Sequence, residues 1–445
     1  MDITALTFDE RDEFKRKSIA EKAISLLQAN IDISPMVIDG SWGTGKTEFC
    51  HKLINLMRGN DTHHLIYIDA FKADHANEPL MTVLAEVIKV LPDDDSKQSF
   101  IKKALPTLRY GLKTIAKAGV SHLLRQDIAD VADDFDKEIQ KTADKAIDAT
   151  VESVLRDHVK AEKNLKALQT ALGEITAVKP IVLFVDELDR CRPNFAVDML
   201  EIIKHTFDVE GVSFVLITNT QQLKASINHC YGQSVDAQRY LDKFVKFTVA
   251  LPETVDTNAH RESIAAIEHY KNLVGSSNLL EGLKLFECGS IRTIEKIIIA
   301  NRLSFREVET IVRHIEIYVT LAQSNKLQKN TILGYKVLTA LAIAIYSIQP
   351  EVALSILQKR INAKDIGNFL GVSNLSKDIK GRPDEQELIC YMLGYTALHN
   401  KDHFTPTEDV DVWKQESAQY FRGPHWRTDD FASICSEAIQ TLTMC

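Results

Sequence analysis

Gly40-Ser41-Trp42-Gly43-Thr44-Gly45-Lys46-Thr47 satisfies the pattern G-x-x-x-x-G-K-[ST] in full. A short apolar run, Met36-Val37-Ile38, enters it through Asp39, and the helical pattern TEFCHKLINLMR leaves it. A strand, a glycine turn and a helix in that order form the setting in which the pattern carries chemistry. The glycines let the backbone bend until successive N–H groups face an anion. The helix that follows aims its positive end at the same point. Gly40 to Thr47 are therefore expected to cradle a polyphosphate, with Lys46 reaching its β- and γ-phosphates and the Thr47 hydroxyl ligating Mg²⁺.

Four more apolar runs read as strands. They are His64–Ala70 (HLIYIDA), Ile181–Val185 (IVLFV), Val212–Ile217 (VSFVLI) and Phe244–Leu251. Strands that are apolar throughout and alternate with helices predict a parallel sheet covered on both faces. The second of these runs ends in Asp186-Glu187. Ligands bind at the carboxyl ends of the strands in such sheets. Asp186 is expected to hold Mg²⁺ and Glu187 to polarise the attacking water as general base. The third run ends in Thr218-Asn219, and Asn219 is placed to sense the γ-phosphate. The competing reading of Asn219 is a turn that only terminates a strand.

Composition narrows the remaining possibilities. The chain has 445 residues, 45% hydrophobic and 26% charged, so it can bury a core and order itself. A net charge of −9 argues against a polycation that coats nucleic acid. Seven scattered cysteines without a C-x-x-C pair argue against a zinc ribbon or a disulfide scaffold. No apolar leader follows the amino terminus, and a reducing cytoplasm is the expected setting. The most apolar stretch, Ile332 to Ile348, is short and contains Lys336, so a buried core helix is favoured over a membrane span. No H-E-x-x-H, G-x-S-x-G or nuclease pattern is present.

The stretch between Thr47 and Asp186 is more than twice the roughly 45–60 residues that a helix–strand–helix crossover needs. The excess falls at residues 96–176. Residues 97–125 carry Lys97, Lys102, Lys103, Arg109, Lys113, Lys117 and Arg125 with no acid, and residues 127–138 reverse the sign. The favoured reading is a solvated hairpin in which the two halves pair. A surface for a protein partner, for nucleic acid or for a membrane are the alternatives, with the membrane the weakest.

With these residues in hand, the sequence resembles the KAP family of P-loop NTPases. The resemblance rests on the tryptophan inside G-S-W-G-T-G-K-T and on the extended acidic motif Asp186-Glu187-Leu188-Asp189-Arg190-Cys191-Arg192-Pro193, which matches D-D-L-D-R-C-x-P with Glu187 at the second acid. Tyr240-Leu241-Asp242-Lys243-Phe244 and Leu303-Ser304-Phe305-Arg306-Glu307-Val308 resemble further family segments. The resemblance covers about residues 10–325. It implies an α/β fold: a parallel-sheet P-loop NTPase core with a helical insert, a helical lid and a mostly α-helical C-terminal region. The corresponding division is 1–95 and 177–256 for the core, 96–176 for the insert, 257–325 for the lid and 326–445 for a helical region of unknown role. It also implies ATP with Mg²⁺ as cofactors, and a place in prokaryotic anti-phage defence or exclusion beside partner proteins. A co-acting defence or effector protein is expected as partner, with the insert 96–176 as the candidate contact, and a homo-oligomer is expected as well. P-loop switches bring an arginine to the γ-phosphate, and the candidates are Arg190, Arg192, Arg239 and Arg306. Arg190 has the alternative of pairing with Asp189. Three functions compete: an ATP-hydrolysing switch or motor, a nucleotide-stabilised scaffold with little turnover, and a nucleic-acid-acting ATPase that uses the basic insert.

Overall fold

The computed structural model describes residues 6–29, 31–92, 97–104, 151–256, 262–281, 283, 289–376, 383–394, 397–420 and 430–444. The chain forms two compact units, Met1–Pro252 and Glu253–Cys445.

The first unit is built on five parallel strands, β1 (Met36–Asp39), β2 (His64–Asp69), β3 (Ile181–Asp186), β4 (Val212–Thr218) and β5 (Phe247–Ala250), in the order β2-β3-β4-β1-β5. β3 is buried at every position because both faces of the sheet are covered. Met36, Ile38, Val182, Phe184, Val215 and Ile217 pack on one side, with α1 (Lys17–Gln28) and α2 (Lys46–Arg58). Val37, Leu183, Val185 and Leu216 pack on the other. There they meet α3 (Pro79–Val90), α4 (Val151–Thr176), α5 (Pro193–His205) and α6 (Thr220–Tyr231). The alternation of the two sets along each strand is the period-2 consequence of the pleat.

Register decides where the chemistry lies. Asp69 stands opposite Asp186, and Asp39 opposite Thr218. The carboxyl ends of four strands therefore share one rim of the sheet. The region read as an insert is described only at its ends. Phe100, Ile101 and Ala104 join Leu168, Ala171 and Leu172 of α4 in the second core cluster. Lys103 donates to both carboxylate oxygens of Glu174, at 2.9 and 2.7 Å. The remaining basic residues from 105 to 125, and the acidic stretch 127–138, lie outside the described residues.

The second unit opens with an antiparallel pair, Thr254–Asp256 with Glu262–Ile264, and is otherwise helical. Its centre is α10 (Leu333–Ile348), which packs against α8 (Gly289–Asn301), α9 (Phe305–Leu321) and α15 (Asp430–Thr443). Between α7 (Ala265–Ser276) and α15 the order also includes α11 (Pro350–Leu357), α12 (Ala363–Leu370), α13 (Glu385–Gly394) and α14 (Val410–Tyr420). α10 is the apolar stretch of the sequence; Val337 to Ile345 are buried without a break, and Lys336 donates from within it to the Lys329 carbonyl at 2.7 Å. No helix among the described residues is long and apolar enough to cross a membrane. Cys50, Cys191, Cys230, Cys390 and Cys435 are free thiols.

Candidate functional site: the phosphate loop and the acidic strand end

The loop between β1 and α2 bends as its glycines allow. Gly43 has φ 75° and Gly45 φ 77°, left-handed values that a side chain resists. At Gly40 a Cβ would stand 2.8 Å from Thr44 Oγ1, so the narrow turn itself requires glycine there. Thr44 Oγ1 donates to the Ser41 carbonyl at 2.8 Å and tightens the turn. α2 begins at Lys46, one residue past Gly45, and its first turn faces the loop. Lys46 Nζ donates to Gly40 O at 2.7 Å and to Ser41 O at 3.1 Å, so the ammonium is folded into its own cradle. Burial lowers its pKa, and Asp189 and then Asp186 pull it back up.

At the neighbouring strand end, Asp186 is 1% exposed. It accepts from the Tyr67 hydroxyl at 3.1 Å, from the Glu187 N–H at 2.8 Å and from the Thr47 hydroxyl. Burial nevertheless pushes its pKa up to about 6, because those three donors do not replace water around a carboxylate. Thr47 and Asp186, which the sequence assigned to one metal, are thus in direct contact. A hydroxyl and a carboxylate are hard oxygen donors that suit Mg²⁺. Among the described residues no group of three or more His, Cys, Asp or Glu side chains is placed to hold a metal.

Glu187 follows in the left-handed region, φ 61°. For a residue with a Cβ this costs about 1–3 kcal/mol and is found where the surroundings impose it. Its carboxylate meets Arg190 Nη1 at 2.8 Å. Arg190 therefore pairs with Glu187, not with Asp189. Asp189 takes two other partners: the Trp42 indole Nε1 donates to it at 2.5 Å, and the Thr218 hydroxyl at 3.2 Å.

The other predicted residues fall as follows. Asn219 accepts with Oδ1 from the Gln221 and Gln222 N–H groups at 3.0 and 3.3 Å, and so caps α6. Its amide nitrogen takes no part in the cap. Asp39 accepts from Thr220 N at 2.9 Å at the same terminus. Arg192 is held by Asp74, a buried carboxylate that accepts from Nε at 3.0 Å and from the Arg192 N–H at 3.2 Å. Arg239 is exposed and lies 3.4 Å from Asp236, the cap of its own short helix. Arg190 lies close enough to Lys46 for its positive charge to lower the lysine's pKa. Arg306 belongs to the second unit. It is the exposed second residue of α9, which starts with a capping box between Ser304 and Glu307.

Sequence reading missed Arg16. It is 4% exposed and donates to Thr44 O at 2.7 Å and to Pro252 O at 3.3 Å, tying the loop to the end of the sheet unit. Burial lowers its pKa to about 10. It also missed Tyr67, whose alternation along β2 places it beside the acidic rim.

A search of curated proteins returns no match to this chain. A family model described as the KAP family P-loop domain matches residues 16–333. That span holds the loop, the acidic strand end, Asn219 and Arg306, and it is more than half of the chain. With the parallel sheet and the phosphate loop at its rim, the match establishes that the chain belongs to the KAP family of P-loop NTPases.

Proposed function

We propose that this protein is a Mg²⁺-dependent ATP-hydrolysing switch that acts with a partner protein in a prokaryotic defence or exclusion system of the cytoplasm. The observation that carries the enzymatic part is the contact between Thr47 and Asp186, with Lys46 and Glu187 on either side. The Gly40–Thr47 backbone binds the phosphates, and Lys46 leaves the Gly40 and Ser41 carbonyls to neutralise them. Thr47 and Asp186 would hold Mg²⁺, which would supply positive charge to offset that of the phosphates. Glu187 accepts the proton of the attacking water. Asn219 orients that water or the γ-phosphate through its amide nitrogen. Arg190 or Arg306 meets the charge that develops on the γ-phosphate. The defence setting, the partner, the homo-oligomer and the choice of ATP rest on family resemblance. The region 96–176 is the proposed partner contact.

One observation favours a second reading, a nucleotide-stabilised scaffold: the Glu187 carboxylate is engaged by the Arg190 guanidinium at 2.8 Å. The two readings part on one experiment. Purified protein is assayed for Mg²⁺-dependent phosphate release and for nucleotide affinity, beside Glu187→Gln. The switch requires turnover that Glu187→Gln lowers by about 10²-fold or more while affinity survives. Tight binding with no turnover, with or without partner, makes the scaffold the correct reading.

A further inference from the structure

The hydrolytic reading leaves Trp42 and Asp189 without a task, although the indole donates to the carboxylate at 2.5 Å. We propose that Asp189 is a positioning residue: it clasps the Trp42 indole and the Thr218 hydroxyl, and so fixes Glu187 at a set distance from the phosphate loop. The inference rests on that hydrolytic reading.

Three segments meet at one carboxylate. Trp42 is the tip of the phosphate loop, Thr218 the end of β4, and Asp189 the middle of the short 3₁₀ turn Leu188–Arg190. The indole donates to Oδ2 at 2.5 Å and the hydroxyl to Oδ1 at 3.2 Å, so both oxygens are engaged. Asp189 is 7% exposed and Thr218 fully buried. A carboxylate there is costly unless its partners are in place. Trp42, in contrast, is 49% exposed. Burial of its ring does not account for a tryptophan at that position; the N–H does. Glu187 begins the same turn, in a left-handed conformation that the chain adopts only while the turn is held. Leu188, fully buried, anchors the turn from below, and Arg190 N closes it on Glu187 O at 3.1 Å. The clasp links this turn to the loop that grips the phosphates, beside the Thr47–Asp186 contact at the strand end. Its loss lets the base drift relative to its target without removing any phosphate ligand. A shift of about 1 Å between reacting groups costs as much as about 10²-fold in rate.

Asp189 also attracts the Lys46 ammonium, so position and charge must be separated. Asp189→Asn does this. Its Oδ1 accepts from the indole and its amide donates to the Thr218 hydroxyl, while the charge is gone. Trp42→Phe keeps a ring and removes only the donor.

The test measures kcat for Mg-ATP and nucleotide Kd, on the full chain, for wild type, Trp42→Phe, Asp189→Ala, Asp189→Asn and Glu187→Gln. Retained nucleotide affinity doubles as the check on folding. The clasp predicts kcat about tenfold or more lower for Trp42→Phe and Asp189→Ala, with Kd within about threefold, and Asp189→Asn within about threefold of wild type on both counts. Unchanged kcat in Trp42→Phe, kcat and affinity falling together, or Asp189→Asn as slow as Asp189→Ala overturns the inference alone. A wild type without turnover, or a Glu187→Gln that turns over normally, overturns the hydrolytic reading and the clasp with it.

Discussion

Replacing Asp186 with Asn should make the nucleotide-free protein more stable, although it removes a residue that the site is built around. The structure sets the size. Burial raises the Asp186 pKa from 3.8 to about 6. At about 1.4 kcal/mol per pKa unit, keeping this carboxylate ionised costs the fold about 3 kcal/mol above pH 6. The sign follows from proton counting. Between about pH 4 and pH 6 the folded state holds a proton that the unfolded state has lost, so stability falls as pH rises through that window. Asn avoids the charge but accepts from fewer of the three donors at Tyr67, Glu187 and Thr47. A lost acceptor costs about 1–2 kcal/mol, so the net gain at pH 8 is about 1–2 kcal/mol. For a unit of this size that is about 3–6 °C in Tm. Because the chain forms two units, calorimetry should follow the transition that Mg-ATP shifts in the wild type. The gain should be gone near pH 5, where the cost of ionisation has fallen to about half and the lost acceptor offsets it, and should turn into a small loss toward pH 4. Equal or lower Tm for Asp186→Asn at pH 8, or a gain that does not change with pH, refutes the reasoning. The same titration governs the wild-type site: its Mg²⁺ affinity should fall about tenfold from pH 7 to pH 5, whereas an ordinary aspartate would barely respond.

Three further outcomes check other parts of the structure. Lys46→Ala should weaken nucleotide binding by about 10–100-fold in a titration with labelled ATP, since it removes the cation of the cradle. Asp74→Ala should lower the stability of the first unit by about 2 kcal/mol in urea. It strands the Arg192 guanidinium and N–H that the buried carboxylate satisfies, and the partial exposure of Arg192 limits the cost. Gly367→Ala should destabilise the second unit by about 1–3 kcal/mol and leave nucleotide affinity unchanged, because its Cβ would stand 2.9 Å from Phe404 Cε2 and 3.0 Å from the Val372 carbonyl.

What could be read without coordinates was what is local in the chain. A glycine loop, the strand before it and the helix after it occupy fewer than thirty consecutive residues, and their chemistry depends on backbone conformations that residue type alone dictates. The same holds for IVLFVD, where an unbroken apolar run predicts a doubly covered strand and so the rim position of its last acid. Side-chain partnerships across the fold leave no such trace. Trp42 and Asp189 are 147 positions apart, and Arg192 and Asp74 118. Nothing in either segment specifies the other, because the pairing exists only once β2, β3, β4 and the loop share one rim. That is why Arg192 could be set beside Arg190 as a candidate for the γ-phosphate although Asp74 already holds it. Asp189 could be assigned to Arg190 for the same reason: adjacency in sequence was the only available measure of proximity. Yet the left-handed turn at Glu187 swings Arg190 back onto Glu187 itself and frees Asp189 for the indole. A single backbone angle, unfavourable for glutamate and invisible in its letter, thus decides which acid is latched and which one clasps the loop.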